Sequence, residues 1–399
     1  MKKIALISLI VSSVLMAGGY KIPENSLNSV ALSAANIAHS RGSDAAYYNP
    51  ANMMFMEDGS SMSLDLTYIG LDASNYKGTI AATGTFPYDA DAESETFLVP
   101  SFHYVFPIID GARFGLSVVT PGGVTKRWSV APGIYSAEEY TLQVVEINPS
   151  IAYSINDKVA VAFGLRVIHS DGTVKSSTTA TRNMTGDSFD YGFNLALSYK
   201  PTSELEIGLT YRSNVDLTEE GSAKLSHTTL GEVYNGGVSV TVPLPVSLNL
   251  AVAYTLASKT TIEFVYERNL WSSYEALDFD YSGSVAPLTV FDDAIAKDWK
   301  DTNAFRLGLT HELDLYTLMA GAVYDNSPVP NKSLSFELPD SDSLSVSLGV
   351  RYQVNEKLNV GLAALYSMKD NRSAVNSDLS GKFSNSKALL VSVGAWYKF

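Results

Sequence analysis

The most regular feature of this sequence is an alternation of apolar with small or polar residues, which is clearest at the C-terminus. Six apolar residues near the end of the chain share one parity: Leu389, Val391, Val393, Ala395, Tyr397 and Phe399. Ser392, Gly394 and Lys398 occupy the other parity. Because side chains alternate between the two faces of a strand, this segment has one apolar face and one small or polar face. Such a strand is typical of an outer-membrane β-barrel, where one face meets lipid and the other meets the lumen.

The same alternation recurs over residues 191–199, 248–256, 305–313, 344–354 and 358–368. Each run is close to the ~9–11 residues that a tilted strand needs to cross the hydrocarbon layer. Short turns are predicted near 107–111, 156–157, 201–204, 257–259, 311–314 and 355–357, and longer polar loops near 73–95, 122–139, 171–187, 217–236, 273–302, 326–342 and 369–386. We therefore predict an all-β, antiparallel transmembrane β-barrel of about 14 strands over residues 60–399, with its ends on the short-turn, periplasmic side. A soluble β-sandwich is the alternative, and the number and length of the strands favour the barrel.

The N-terminal part does not share this pattern. Lys2 and Lys3 precede an apolar stretch over residues 4–16, so residues 1–17 are predicted to be a signal peptide that is cleaved within a residue or two of Ala17; a retained anchor helix is the alternative. Residues 18–59 are rich in Ala, Ser and Asn, and their apolar residues keep helical spacing. Irregular backbone cannot lie in lipid, so this segment is predicted to be a partly helical plug, or hatch, in the barrel lumen.

The composition of the chain argues against several classes of function. The chain has no cysteine and a net charge of −14, which argues against thiolate chemistry and against nucleic acid as a partner. Its 5 histidines are scattered, and neither a Gly-x-Ser-x-Gly nor a His-Glu-x-x-His motif occurs, so no enzyme, cofactor or metal site is predicted. The 23 tyrosines suit the interfaces of a membrane.

Several short segments resemble the FadL/TodX type of outer-membrane transporters for long-chain fatty acids and other hydrophobic compounds. The segments are Asn49-Pro50-Ala51, residues 148–153, Thr210-Tyr211-Arg212-Ser213, Leu244-Pro245, residues 324–330 and residues 338–342. The resemblance covers nearly the whole mature chain. It implies a Gram-negative outer membrane, and contacts with outer-membrane lipid, with lipopolysaccharide and, during biogenesis, with the barrel assembly machinery. It also implies that loops capture the substrate, which passes to an inner pocket and leaves sideways beside a kinked third strand.

The resemblance also directs attention to particular residues. Pro121, Gly122 and Gly123 follow the third strand, and since proline has no N–H, ladder pairing is expected to lapse there; an ordinary strand-to-loop junction is the alternative. The hatch motif Asn49, Pro50 and Ala51 is expected to hold the hatch closed or to form only a turn.

A fatty-acid carboxylate would need a basic partner, because an unpaired buried charge is costly. The candidates are Lys297 and Lys300, at the family's lysine region, together with Lys175 and Arg182 in the predicted loop after strand five. Phe291, Ile295 and Trp299 are candidates for apolar contact with the ligand. Solvated loop charges and packing between loops are the alternative interpretations.

The function predicted from the sequence is thus outer-membrane transport of a hydrophobic small molecule, most simply a long-chain fatty acid. An adhesin or receptor barrel and a general diffusion porin are the alternatives. The sequence leaves the choice between fatty acid, alkane and aromatic substrate open, as well as the oligomeric state.

Overall fold

A computed structural model of the protein describes residues 18–399, and the predicted signal peptide, residues 1–17, lies outside the described residues. The strands are β1 (Ser61–Leu71), β2 (Asn75–Ile80), β3 (Tyr88–Asp91), β4 (Glu95–Ile109), β5 (Ala112–Val119), β6 (Gly123–Arg127), β7 (Glu139–Asn156), β8 (Val159–Ser177), β9 (Ala180–Tyr199), β10 (Leu205–Arg212), β11 (Val215–His227), β12 (Gly231–Leu244), β13 (Val246–Thr255), β14 (Thr260–Leu270), β15 (Ala276–Leu277), β16 (Phe279–Tyr281), β17 (Ile295–Ala296), β18 (Thr302–Glu312), β19 (Tyr316–Asp325), β20 (Ser343–Gln353), β21 (Leu358–Lys369), β22 (Arg372–Val375), β23 (Leu379–Ser384) and β24 (Lys387–Lys398). The helices are α1 (Leu27–Ala31), α2 (Ala45–Tyr48) and α3 (Ile134–Ala137), with short 3-10 turns at Pro50–Phe55, Ala81–Thr83, Trp271–Ser273, Thr289–Phe291 and Asn331–Ser333.

The predicted barrel of 14 antiparallel strands is confirmed, and it closes where β1 pairs with β24. Eleven wall strands are single elements: β1, β4, β7, β8, β9, β14, β18, β19, β20, β21 and β24. The third, seventh and eighth wall strands are each split in two, as β5 with β6, β10 with β11, and β12 with β13. From the long loops, β2, β3, β22 and β23 form a separate four-stranded sheet on the extracellular side.

The alternation along β24 corresponds to two different environments. Val393 is 51% exposed on the outer face, whereas Ser392 is fully buried and accepts a hydrogen bond from the Thr67 hydroxyl at 3.0 Å. The apolar parity therefore faces outward into lipid and the small, polar parity faces the lumen, as expected for a membrane-spanning barrel. None of the helices within residues 18–399 combines the length and the apolar character needed to cross a membrane.

Two of the predicted loops are wrong, and a third, 122–139, is wrong in part because Gly123–Arg127 form β6 of the wall. Residues 171–187 and 217–236 are not irregular, because β8 with β9 and β11 with β12 continue through them as long hairpins. On β9 the exposed residues change from Phe189 and Tyr191 to Asp187 and Thr185, so the outer face turns polar where the strand leaves the lipid. A strand of 20 residues is about twice the length that the hydrocarbon layer requires. These hairpins keep the period-two alternation of a strand, but their outward residues are polar. The sequence prediction placed loops here because it relied on that polarity.

Residues 18–59 form the hatch inside the barrel. Leu27, Val30 and Ala31 of α1 are fully buried, and Ser26 caps this helix through a reciprocal pair of hydrogen bonds with Ser29. The helical spacing of the sequence continues beyond Ala31, but the helix does not, because the chain turns into the left-handed region at residues 33 and 34.

The hatch can approach the wall closely because glycines occupy wall positions that contact it. A Cβ atom built on Gly321 of β19 would lie 2.2 Å from the carbonyl carbon of Leu32, which is closer than atoms can approach. A side chain at this wall position would therefore displace the hatch.

The outward orientation of β24 gives a first prediction. Replacing Val393 by Arg places a charge in the lipid near the middle of the strand, and we expect a loss of about 2–4 kcal/mol in the free energy of unfolding. Urea titration of protein refolded into liposomes measures this change, with Val393→Leu as the control. An unchanged unfolding midpoint and normal heat-modifiability of Val393→Arg would contradict the assignment of this face to lipid.

Candidate functional site

The Asn49-Pro50-Ala51 motif closes a loop within the hatch. The Asn49 side-chain oxygen accepts a hydrogen bond from the Ala51 N–H at 3.2 Å, and its amide donates to the Ile37 carbonyl at 2.9 Å. Asn52 donates to the same carbonyl at 3.0 Å. Pro50 begins the 3-10 turn, where its missing N–H has no bond to make. The motif thus ties the second half of the hatch to the backbone near residue 37.

Charged residues on the lumen face of the wall hold the hatch backbone. The Glu263 carboxylate on β14 accepts hydrogen bonds from the N–H groups of Ile37 and Ala38, each at 2.7 Å, and of His39 at 3.1 Å. Such charge-assisted bonds are stronger than bonds between neutral groups. They fix the centre of the hatch to one side of the barrel.

The end of the hatch is held by Arg113 on β5. Its guanidinium donates to four carbonyls between residues 53 and 59: Met53 at 2.8 Å, Met56 at 3.1 Å, Glu57 at 2.8 Å and Gly59 at 2.7 Å. The side chain is 1% exposed. Arg113 therefore fixes the junction at which the hatch passes into the barrel wall.

The start of the hatch is held by an ion pair. Lys21 bonds the Glu267 carboxylate of β14, and it also donates to Ser247 at 2.9 Å and to Asn269 at 3.1 Å. Arg306 on β18 bonds the second oxygen of Glu267 at 3.2 Å and the Ser33 carbonyl at 3.0 Å. One buried carboxylate thus links the hatch to two wall strands.

Pro121, Gly122 and Gly123 lie at the interruption of the third wall strand. The last ladder pair between β4 and β5 is Phe102 with Val118, and beyond it β6 pairs only with β7. At the interruption the Ile22 N–H donates to the Pro121 carbonyl at 2.9 Å, and the Gly123 N–H donates to the Tyr20 carbonyl at 2.7 Å. The hatch therefore supplies, at this point, the hydrogen bonds that the neighbouring wall strand does not.

The result is a gap in the hydrogen-bond ladder of the wall, which we call the wall window. Residues 95–101 of β4 form one side, and residues 119–126 of the third wall strand form the other. The Glu93 N–H donates to the Arg127 carbonyl at 2.8 Å above the window, and Arg127 forms an ion pair of 2.6 Å with Glu95. The window is thus bounded at both ends.

Aromatic side chains pack around the first residues of the hatch. The ring of Tyr20 lies 4.8 Å from Trp271 and 5.6 Å from Trp299, and these two tryptophans are 4.9 Å apart. Of the apolar residues proposed from the sequence, only Trp299 belongs to this group; Phe291 is half-buried and Ile295 is 38% exposed.

The four basic candidates have different surroundings. The Lys297 ammonium is buried and forms an ion pair of 2.6 Å with Glu337, whereas Lys300 is exposed. Burial by itself would raise the pKa of the Glu337 carboxyl, but the Lys297 ammonium outweighs this effect, and the pKa is lowered. The first candidate is therefore already neutralised by a carboxylate of the protein.

Lys175 and Arg182 lie on strands β8 and β9 and not in a loop, which corrects the prediction from the sequence. Lys175 forms an ion pair of 2.6 Å with Glu139. Arg182 is 9% exposed and lies over the rings of Phe279 and Phe291, at 5.3 and 5.4 Å. Among these four, Arg182 combines burial with aromatic neighbours.

Comparison with known proteins identifies the architecture. The family described as outer membrane protein transport protein (OMPP1/FadL/TodX) matches residues 8–399. The chain belongs to this family. It is 25% identical over 364 residues to the long-chain fatty acid transport protein of Escherichia coli O6:H1, a match that spans 80% of this chain and 79% of the relative. It is 22% identical to outer membrane protein P1 of Haemophilus influenzae, over 67% of this chain and 65% of the relative.

Solved structures of this family share the fold. A Pseudomonas aeruginosa FadL homologue superimposes with a TM-score of 0.85 at 20% identity, covering 96% of this chain and all of that one. The toluene transporter TodX of P. putida gives a TM-score of 0.73 at 15% identity, covering 94% and 98%. The family membership and the barrel confirm the predicted location in the outer membrane.

Sequence reasoning missed the residues that hold the hatch of this FadL/TodX-family protein. Arg113 precedes the outward-facing Phe114, which is 43% exposed, and Glu263 lies between Ile262 and Phe264, which are 42% and 47% exposed. A charged residue flanked by lipid-facing residues must face the lumen, because the faces alternate. The position of these charged residues in the alternation could therefore have identified them as lumen-facing from the sequence.

The hatch motif gives a second prediction. Replacing Asn49 and Pro50 together by Ala removes the bond to the Ile37 carbonyl and should loosen the hatch by about 1–3 kcal/mol while the barrel stays folded. We expect lower ligand-dependent uptake and faster leak of small solutes in a liposome swelling assay. Asn235→Ala, in an exposed hairpin, is the control. Normal uptake together with an unchanged rate of leak would show that the motif only forms a turn.

Proposed function

We propose that this outer-membrane transporter of hydrophobic compounds carries long-chain fatty acids. Loops on the extracellular side capture the substrate, which passes to an inner pocket beside the aromatic residues and leaves sideways through the wall window. The observation that carries the proposal is the contact between the window and the first residues of the hatch, at Tyr20 and Ile22. The names of the curated relatives support fatty acids as the substrate class.

A lateral route fits the filled lumen better than an axial one. The hatch leaves a cavity of about 210 Å³ on the periplasmic side and one of about 50 Å³ beside Lys21. Pockets for drug-sized ligands usually measure ~300–1,000 Å³. A long acyl chain can therefore enter only if the hatch moves. The hatch residues that border the window are proposed to move, because they lie on the lateral route. The same filled lumen argues against a general diffusion porin.

Capture is supported by apolar side chains that the loops expose. Phe86 is 61% exposed, Val130 is 48% exposed and Val290 is 67% exposed. Large apolar side chains in water favour contact with apolar ligands.

Closing the window tests the proposal. Ser101 and Val119 stand one step beyond the last ladder pair, both are buried, and the chain has no native cysteine. A disulfide between Ser101→Cys and Val119→Cys should abolish uptake of labelled oleate by cells that lack other transporters for it, and a reductant should restore uptake. The control is the pair Thr67→Cys and Ser392→Cys, across an intact ladder.

The outcomes separate the alternatives. Oleate uptake that depends on the protein but is the same with and without the disulfide would contradict lateral release. Permeation of small sugars without oleate uptake would indicate a porin, and the absence of any uptake would favour a surface receptor.

The ion pair between Lys297 and Glu337 gives a fourth prediction. If Lys297 binds the substrate carboxylate, Glu337 competes with that carboxylate, so Glu337→Gln should tighten oleate binding by about tenfold. Binding of methyl oleate, which carries no charge, should not change. Titration of purified protein with both ligands measures the difference, and Lys300→Met, an exposed lysine of the same loop, is the control. Equal changes for acid and ester would exclude Lys297 as the carboxylate partner.

A further inference from the structure

A buried lysine at the upper end of the wall window has no acidic partner among the residues that the structure describes. Lys126 is the fourth residue of β6 and is 3% exposed. Within residues 18–399, its ammonium has a single hydrogen-bond partner, the Ser74 hydroxyl at 3.0 Å. An ammonium group has three donors, so two of them are unused.

Two of the acids near Lys126 are already engaged, and a third, Asp72, lines the same cavity but is exposed and forms no ion pair with Lys126 within residues 18–399. Glu95 forms two hydrogen bonds with Arg127, at 2.9 and 2.6 Å. Asp340 pairs with Lys369 at 2.6 Å. The buried lysines elsewhere in the lumen contrast with Lys126, since Lys21 pairs with Glu267 and Lys297 with Glu337. Because an unpaired buried cation is costly, this arrangement leaves Lys126 able to bind an anion, since none of the three nearby carboxylates bonds its ammonium.

Lys126 borders a small cavity. The cavity has a volume of about 20 Å³, and Ser74, Pro339, Lys369 and Ser386 also line it. The hydroxyls of Ser74 and Ser386 lie 2.9 Å apart. The space is sufficient for about one water-sized group, such as one oxygen atom of an anionic head group. Three lysines (Lys126, Lys369 and Lys387) and three serines (Ser74, Ser367 and Ser386) border it, together with one acidic residue, Asp72.

The position of Lys126 relative to the membrane suits an amphiphile. Lys126 is opposite Tyr140 on β7, and further down the same strand Ile147 is 46% exposed on the lipid face. The ammonium therefore stands above the lipid-facing band, at the depth of the head groups. Below it the window side of the lumen is apolar, with Val124, Phe97 and Val99 buried at 1%, 4% and 5% exposure.

We propose that Lys126, with Ser74, binds the carboxylate of a long-chain fatty acid as its acyl chain passes through the wall window into the outer leaflet. This inference rests on the proposed function. The head group is held at the depth it will have in the membrane, and the chain points down into the hydrocarbon layer. Other transported compounds without a charged group would pass the window without this contact.

The test compares Lys126→Met, which removes the charge at similar volume, with Lys126→Arg, which keeps it. In protein reconstituted into lipid nanodiscs, Lys126→Met should lower the affinity for oleate by about tenfold or more and leave that for methyl oleate unchanged. Lys126→Arg should retain most of the preference for the acid. Lys382→Met, at an exposed lysine of β23 that does not border this cavity, is the control and should behave like the wild type.

A position-specific readout separates this site from the inner pocket. Oleate that carries a diazirine near its carboxyl group should label β6 or residues near Ser74 in the wild type and lose this labelling in Lys126→Met. Labelling that is unaffected by the substitution, or equal loss of acid and ester binding, would overturn the proposal. Labelling that lipopolysaccharide suppresses and excess oleate does not would also overturn it and assign Lys126 to a lipid phosphate.

The failure of this inference differs from the failure of the proposed function. Wild-type protein that binds and transports neither oleate nor its ester would refute the function itself. Wild-type protein that transports both, with Lys126→Met identical to it, would refute only the role of Lys126. Heat-modifiability and unfolding of Lys126→Met provide the folding control, and the removal of an unpaired buried cation is not expected to destabilise the barrel.

Discussion

The requirement that backbone N–H and C=O groups be paired within the membrane is the constraint on which the rest of the structure depends. The barrel meets it by closing β1 on β24, so that almost every wall strand has two neighbours. Along the third wall strand the ladder to β4 lapses, because Pro121 and the glycines after it leave it. There the backbone of Tyr20 and Ile22 supplies the missing partners. The hatch is therefore part of the wall at this one place, and any movement of its first residues also changes the window.

The hatch is held unequally along its length. Glu263 and Arg113 fix its middle and its end through seven bonds to backbone groups, which do not depend on hatch side chains. Its start is held by the Lys21 side chain, by two backbone bonds at the window, by the Tyr20 hydroxyl, which donates to the Pro243 carbonyl, and by the Gly19 N–H, which donates to Asp340 at 3.3 Å. Movement of the start alone would break these bonds and change the lumen while the seven bonds of the middle and the end stay intact. This movement would open space beside Trp271 and Trp299, while the contact between α1 and the wall would be kept.

Much of the wall could be predicted from the sequence, because lipid and lumen impose opposite chemistry on alternate residues over the whole height of the membrane. The prediction failed at 171–187 and 217–236, where both faces of the hairpins leave the lipid and the outer residues are polar. Arg182 was assigned to a loop for that reason. The pairing of Lys297 with Glu337 could not be predicted, since the two residues belong to different irregular loops that only the folded barrel brings together. Lys126 was missed because a lysine next to Arg127, within the loop predicted over residues 122–139, resembles an ordinary surface charge.

Under the proposed function, the two lysines would treat a charged substrate differently. Lys297 is balanced by Glu337, so a carboxylate that reaches it must replace an existing partner and gains little net energy. Lys126 is balanced by a hydroxyl only, so a carboxylate that reaches it fills an empty place. A fatty acid that moves from the loops toward the window would therefore gain electrostatic stabilisation along the way, and its last contact with the protein would lie beside the lipid. For an uncharged substrate neither lysine contributes, and apolar contacts alone would decide how far it moves.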